Sequence, residues 1–405
     1  MNLTLLLDLD DTLLTNDIHT FLPAYLQSLS KELAAYAPPE TLIAQLLSAT
    51  KRMVENQRPN LTLKDVFENS FYPALNLSLE DLREPIDRFY AEIFPNLRNL
   101  TSPRPEAVEL VRSALRCGFR VVIATNPLFP RSAIEHRLAW AGLSVNDYPF
   151  NLVSSYETLH FSKPQPAYFA ELLGRLGWPE GPALMVGDDL QNDISGARQL
   201  GLPAFWINQA GSSASPVGQE QPTATGDVGD VIPWLSTAPL ETLQPDYNSP
   251  SAMLAILRST PAVLDTLCSN LSTNTWVERP LPNEWCPTEI ICHLRDVEAE
   301  VNLPRLRRVL RDENPFLPGK DTDPWAEQRD YIHQSGPQAL RSFTAARMEV
   351  LALLEDLQPG DWQRPARHAI LGPTDLEELV GIIASHDRLH IQQITQSLEA
   401  LRGTK

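Results

Sequence analysis

The hydrophobic pattern of this chain changes character near residue 250, and that change restricts the possible folds more than any other feature. Before it, short apolar runs at Leu3 to Leu7, Arg120 to Ala124, Ala183 to Val186 and Ala204 to Ile207 end in polar or glycine-containing turns, with helix-period sequence between the later ones. Short buried runs alternating with helices predict an α/β fold, a Rossmann-like parallel sheet covered by helices. After it, Met253 to Leu271, Pro287 to Leu310, Gln338 to Leu357 and Asp375 to Leu401 form four long amphipathic stretches separated by proline-rich loops. Four helices of that length predict an all-α four-helix bundle. A single core stops growing at about 250 to 300 residues, so a chain of 405 residues calls for at least two domains.

Between the first two apolar runs, segments such as Phe21 to Ala35 and Leu63 to Phe94 carry helical periodicity and no convincing strand. This predicts a helical insertion after the first strand, from about Asp17 to Leu100. Gln209 to Pro222 and Leu243 to Pro250 are polar and proline-containing, and one of them is the expected interdomain linker. The expected boundaries are a first domain over residues 1–243, with a core of 1–16 and 101–243 and a helical cap at about 17–100; a linker at 244–250; and a bundle over 251–405.

A formal charge of -18 argues against a nucleic-acid partner and an anionic membrane surface, because both draw on clustered Lys and Arg. A small anionic substrate stays open, since a metal ion or a helix N-terminus overrules net charge locally. The four cysteines, Cys117, Cys268, Cys286 and Cys292, include no CxxC pair, which fits a reducing compartment better than a disulfide framework. The run from Met1 to Leu7 meets Asp8 without a basic leader, unlike a signal peptide or a membrane span, so a cytoplasmic protein is expected.

Where the first run ends, Leu7-Asp8-Leu9-Asp10-Asp11-Thr12 sets two carboxylates two positions apart at a strand's carboxyl end, where open parallel sheets bind ligands. Val121 to Ala124 leads into Thr125-Asn126-Pro127, a hydroxyl and an amide able to donate to phosphate oxygens. Ser162-Lys163-Pro164 offers a cation just before a helix, and Val186-Gly187-Asp188-Asp189-Leu190-Gln191-Asn192-Asp193 follows a strand with clustered acids. Asp, Thr, Lys and Asp in that order resemble the motif set of the haloacid dehalogenase (HAD) superfamily, over roughly residues 1 to 243.

The resemblance implies a magnesium-dependent phosphohydrolase with Asp8 as nucleophile, forming an aspartyl-phosphate, and Asp10 as general acid and base. Mg²⁺ takes hard oxygen ligands, for which Asp8, the Asp10 carbonyl and Asp188 are expected, with Asp189 and Asp193 supporting. Thr125, Asn126 and Lys163 would bind phosphoryl oxygens, Thr125 and Lys163 also stabilising the transition state. Asp11 stands where other residues are commoner in the superfamily, and the presence of Asp10 argues against dehalogenation, since dehalogenating relatives lack that second acid. The insertion is similar to the caps that close over such sites. Its Lys51, Arg52 and Arg58 read as a solvated face, and His19, His136 and His160 as ordinary surface or core histidines. The expected substrate is a small phosphorylated metabolite; a phosphomutase is the alternative.

In the second half, His386 and His390 stand four apart on one helix face, and His293 on another helix completes a candidate three-imidazole site. Imidazole suits Zn, Ni, Fe or Cu, and three protein ligands leave positions open. Trp285 to Glu289 with His293, and His386-Asp387-x-x-His390-x-x-Gln393, resemble the DinB-like metal-binding bundles over residues 250 to 403. That resemblance implies a divalent transition metal, Zn, Ni, Fe or Mn, in a thiol-transferase or hydrolase. A catalytically silent dimerisation or sensor module, pairing the chain as a homodimer through the bundle, is the alternative. His333 and His368 are read as loop histidines.

Overall fold

The computed structural model describes residues 2–208 and 221–403. Residues 209–220, the bulk of one candidate linker, lie outside the described residues. The chain divides into two compact units, Met1–Leu172 with Glu180–Asp246, and Leu173–Pro179 with Tyr247–Lys405.

The first unit is built on a six-stranded parallel sheet. Its strands are β1 (Thr4–Leu7), β4 (Arg120–Ile123), β5 (Leu152–Val153), β6 (Ala183–Gly187), β7 (Ala204–Ile207) and β8 (Ala224–Gly226); β2 (Leu14–Asn16) and β3 (Thr101–Pro103) form a separate antiparallel pair. The spatial order is β5-β4-β1-β6-β7-β8, with Leu7 beside Ile123 on one flank and Val186 on the other. The chain leaves β1 toward one edge and returns to the other side, so the ends of β1, β4 and β6 border the reversal point where such sheets bind ligands. All four residues of β1 are buried, as expected of a central strand covered on both faces.

The insertion is the expected helical cap: α1 (Ile18–Glu32), α2 (Pro39–Val54), α3 (Leu63–Ala74) and α4 (Leu79–Arg88). Local chemistry sets its helix starts. Asp17 caps α1, while Thr62 with Asp65 and Ser78 with Asp81 form reciprocal capping boxes on α3 and α4. Phe21, Tyr25, Phe89 and Phe94 pack edge to face inside it. Lys51, Arg52 and Arg58 are exposed, as a solvated face requires. One expectation is corrected here: the stretch between the first two apolar runs does contain strand, since β2 and β3 flank the cap. Three residues each, paired across the whole insertion, are too short to show a period of two. The remaining helices of this part are α5 (Pro105–Arg116), α6 (Arg131–Trp140), α7 (Pro166–Arg175), α8 (Gly196–Leu200) and α9 (Val231–Thr237).

The second unit is a bundle of α10 (Pro250–Cys268), α12 (Pro287–Val297), α15 (Gly336–Leu354) and α16 (Leu376–Gly403), with short α11 (Thr273–Val277) and α14 (Trp325–Gln328) between. From α12 the helix runs through a π-helical turn, Glu298–Asn302, into α13 (Leu303–Arg311). Proline at the first turn of α10, α12 and α15 follows a capping Ser249, Cys286 and Ser335. A small sheet, β9 (Phe316–Leu317), β10 (Pro365–His368) and β11 (Gly372–Asp375), stands beside the helices. It corrects the reading of His368, which is a buried strand residue whose Nδ1 accepts from the N–H groups of Ile370 and Leu371 at 3.3 Å each. Pro365 and Pro373 gave this hairpin the look of a loop.

Candidate functional site

In the first unit, three loops leaving adjacent strands and the segment before α7 bring the acidic and basic candidates together. Asp8 follows β1, Asp188 follows β6, and Asp193 lies on the helical turn Leu190–Ser195 after it. Their carboxylates each offer an oxygen within 4.8 Å of the others. Lys163, 2% exposed, donates from Nζ to Asp8 Oδ1 at 2.7 Å and to Asp193 Oδ1 at 2.5 Å. Asp193 Oδ2 in turn accepts from the Asp189 N–H at 3.1 Å. Gly187 is required here by close approach: a Cβ at that position would run into the Asp193 carboxylate.

The electrostatics follow from three acids crowded around one ammonium. Burial alone works against the Lys163 charge, yet Asp193 and Asp8 outweigh it and hold the amine above its ordinary value. Burial, then the charges of Asp8 and Asp193, push the Asp188 carboxyl up to about 8. Such a cluster has excess negative charge and only hard oxygen donors, which is the chemistry that Mg²⁺ selects. Asp8, Asp188 and Asp193 therefore fit a divalent hard cation.

The other predicted residues take distinct places. Asp10 is held from two sides, accepting from Asn16 Nδ2 at 2.7 Å on one oxygen and pairing with the Arg137 guanidinium on the other. Asp11 adopts φ 52°, a left-handed conformation that Asp tolerates better than most residues, and its carboxylate accepts from the Asn16 N–H at 2.9 Å. Thr125 is buried, and its carbonyl accepts from Ser154 Oγ at 2.7 Å and Tyr168 Oη at 2.8 Å, which fixes the loop after β4. The buried Asn126 Oδ1 has no hydrogen-bond partner among the described residues. Asp189 is turned to its own helix, accepting from the N–H groups of Gln191 and Asn192, and stands outside the three-acid group. Asp188 accepts from Thr12 Oγ1 at 3.3 Å.

Sequence reasoning missed Asn16 and Arg137. Asn16 gave no signal. Arg137 did give one: it occupies the apolar face of α6 between Ile134 and Ala141, where an unpaired charge would be costly.

In the second unit, His293 on α12 and His386 and His390 on α16 converge through their Nε2 atoms, 3.3 Å from His293 to His386 and 3.1 Å from His390 to His386. Burial, then the neighbouring imidazoles, push His293 down to about 3; burial, then His390 and Arg347, do the same for His386. His390 is lowered too, chiefly by burial. Three neutral imidazoles aimed at one point form a donor set suited to a borderline transition metal. His390 is oriented by Gln393, whose Oε1 lies 2.8 Å from its Nδ1, and its ring stacks on Trp285 with 6.2 Å between centroids. His333 lies on an exposed turn away from this group.

Beneath the histidines, Arg347 is fully buried and pairs with Glu298 and Asp387, the residue after His386. It also donates to the Leu257 carbonyl at 2.9 Å, so that this one side chain of α15 ties together all four helices of the bundle. Glu298 opens the π-helical turn, and Asn302 at its end donates to the same carboxylate at 2.8 Å.

Residues 3–201 match the family model of the haloacid dehalogenase-like hydrolases, and residues 256–394 that of the DinB superfamily. A phosphoglycolate phosphatase of Rhodospirillum rubrum is 31% identical over 212 residues, 52% of this chain and 80% of that protein. A phosphoserine phosphatase of Thermus thermophilus is 32% identical over 146 residues, 36% of this chain and 54% of the relative. On the other half, "Putative metal-dependent hydrolase OB0782" of Oceanobacillus iheyensis is 31% identical over 111 residues, 27% of this chain and 63% of the relative. The chain thus spans less than two thirds of the length of the last two relatives. No described helix is long and apolar enough to cross a membrane.

Proposed function

We propose, since the chain belongs to the haloacid dehalogenase-like hydrolase family, that its first domain, residues 1–243, is a magnesium-dependent phosphatase of a small phosphorylated metabolite. The observation that carries this reading is the three-acid group of Asp8, Asp188 and Asp193 with Lys163 between two of its members. Asp8, Asp188 and the Asp10 carbonyl would hold Mg²⁺, with Asp193 keeping Lys163 in place. When bound, the ion supplies positive charge beside the phosphoryl oxygens.

The remaining chemistry belongs to the side chains. A carboxylate oxygen of Asp8 attacks phosphorus, the bond to the leaving oxygen breaks with its electron pair on that oxygen, and an aspartyl-phosphate results. Asp10, two residues on, gives the leaving oxygen its proton and later takes one from the water that attacks the phosphorus of the intermediate, which releases phosphate and restores Asp8. Lys163 and Thr125 stabilise the charge shifting onto the phosphoryl oxygens, and the Asn126 Nδ2 would donate to the same group. The cap of α1 to α4 closes over the site and excludes water.

The second domain, residues 251–405, is proposed to bind a divalent transition metal, which His293, His386 and His390 would hold. The first reading is tested by phosphate release from a panel of phosphorylated metabolites with Mg²⁺, comparing the wild type with Asp8→Asn. Turnover by that variant within a few-fold of wild type, with an unchanged circular dichroism spectrum, would defeat the nucleophile assignment.

A further inference from the structure

The geometry points to Arg137, together with Asn16, as the positioning pair for Asp10, a role that rests on the phosphatase reading. Asp10 lies in a loop, three residues beyond the end of β1, and a carboxylate there has three staggered side-chain wells open to it. Two donors from different elements restrict it. Asn16, the last residue of β2 and 1% exposed, donates through Nδ2 to one carboxylate oxygen at 2.7 Å. Arg137, on α6 and 2% exposed, engages the other oxygen through Nη2.

The placement of Arg137 is over-determined. Its guanidinium lies 5.3 Å from the Phe129 ring centroid and 6.0 Å from that of Phe21, a cap residue of α1. A planar, permanently charged group between aromatic rings keeps its direction, where a lysine ammonium would be a mobile point charge. Among the described residues no other acid lies within ion-pair distance of Arg137, Asp8 acting on it only by charge from farther away, and its Nε, also buried, has no partner there. A buried arginine whose one ion-pair partner among the described residues is the proposed acid/base is placed for that residue. The Phe21 contact also connects the cap to the clamp, because α1 closes one side of the guanidinium.

The test is a double-mutant cycle in the full-length protein with Mg²⁺ and p-nitrophenyl phosphate and phenyl phosphate as probes. Arg137→Met is expected to lower kcat roughly 10- to 100-fold, the loss that follows when a reacting group is displaced by about an ångström. KM is expected to change little, and Arg137→Lys should recover part of the loss. In an Asp10→Asn background the same substitution should cost nothing further, within about twofold, because there is no acid/base left to position. An Arg137→Met loss that persists undiminished in the Asp10→Asn background overturns the proposal, and so does wild-type kcat in Arg137→Met. A loss that appears in KM alone also overturns it, since it places Arg137 on the substrate. If Arg137→Met does not fold, Asn16→Ala and Arg137→Lys go through the same cycle with the same criteria. A wild-type protein that turns over neither these probes nor any phosphorylated metabolite overturns the phosphatase reading itself, and this inference with it.

Discussion

Replacing Asp188 by Asn should make the metal-free protein more stable while removing its response to Mg²⁺. The carboxyl is pushed from its ordinary 3.8 to about 8 by burial and by Asp8 and Asp193. At 1.36 kcal/mol per tenfold change in proton affinity, that displacement has a ceiling of roughly 5 to 6 kcal/mol. Water in the open cleft screens much of it, and we expect about 1 to 2 kcal/mol to be recovered. The folded state binds this proton more tightly than the unfolded one, so it holds more protons between about pH 4 and 8, and stability falls as pH rises through that window. The amide does not titrate and keeps an oxygen for the Thr12 hydroxyl. In EDTA the variant should therefore melt higher than wild type, by roughly 2 to 8 °C at pH 8 for a unit of this size, with the gap closing toward pH 5. Adding Mg²⁺ should raise the wild-type transition by mass action and leave that of Asp188→Asn nearly unmoved, which also identifies the transition belonging to the first unit. Identical melting of the two proteins in EDTA at pH 8 would refute the charge-crowding argument. An equal Mg²⁺ shift in both would remove Asp188 from the metal site.

Gly187→Ala should lower phosphate release by about 100-fold or more with a folded protein by circular dichroism, because the added methyl displaces Asp193 and with it Lys163; near-normal turnover would show that Lys163 needs no such support. Bundle histidines should be individually necessary: His293→Ala, His386→Ala or His390→Ala in the full chain should each lower transition-metal content measured by elemental analysis after loading and desalting, whereas Asp8→Asn should not. Full occupancy in the histidine variants would make the cluster structural. The same histidines give the metal-free bundle an acid sensitivity of definite sign. His293 and His386 are pushed down to about 3, so the unfolded state takes up protons near pH 6.5 that the folded state refuses, and stability present above that pH is lost progressively as pH falls toward 3. Chemical denaturation between pH 7.5 and 4.5 reads this directly, and a flat profile would contradict the burial of the three rings.

The parts of the fold that depend on a repeated local signal were legible in the sequence. β1, β4, β6 and β7 were visible as buried apolar runs, and α10, α12, α15 and α16 as amphipathic periods. The short strands without an apolar run were not: β2, β3, β5 and β8 to β11 exist because distant backbone finds them, and so few residues carry no period. In the site, Asp8, Lys163 and Asp188 could be named because each follows a recognisable strand or precedes a helix. Asn16 and Arg137 could not be assigned a partner, since what matters for them is which carboxylate the tertiary fold delivers. The π-helical turn at Glu298–Asn302 was invisible for a similar reason: its amphipathic pattern reads straight through from α12 to α13, and the extra residue is accommodated around the buried Glu298 and Arg347 pair.

The strand order of the sheet also carries a consequence for how the chain acquires this structure. The strand that precedes Asp8 sits inside the sheet, yet Thr4 pairs with Arg120 and Ala183, neither of which is near it in sequence. A ribosome working at about 5 to 20 residues per second leaves this run without its first neighbour for on the order of ten seconds, and without the second for longer. Thr4–Leu7 is therefore an apolar segment awaiting partners during synthesis, and loop closure over those separations should make formation of the sheet slow relative to the bundle, whose contacts are more local. Folding intermediates should accordingly show bundle helices protected from hydrogen exchange before the amides of β1, and aggregation during refolding should respond to substitutions in Leu5, Leu6 and Leu7 more than to equally apolar changes in α10 or α16.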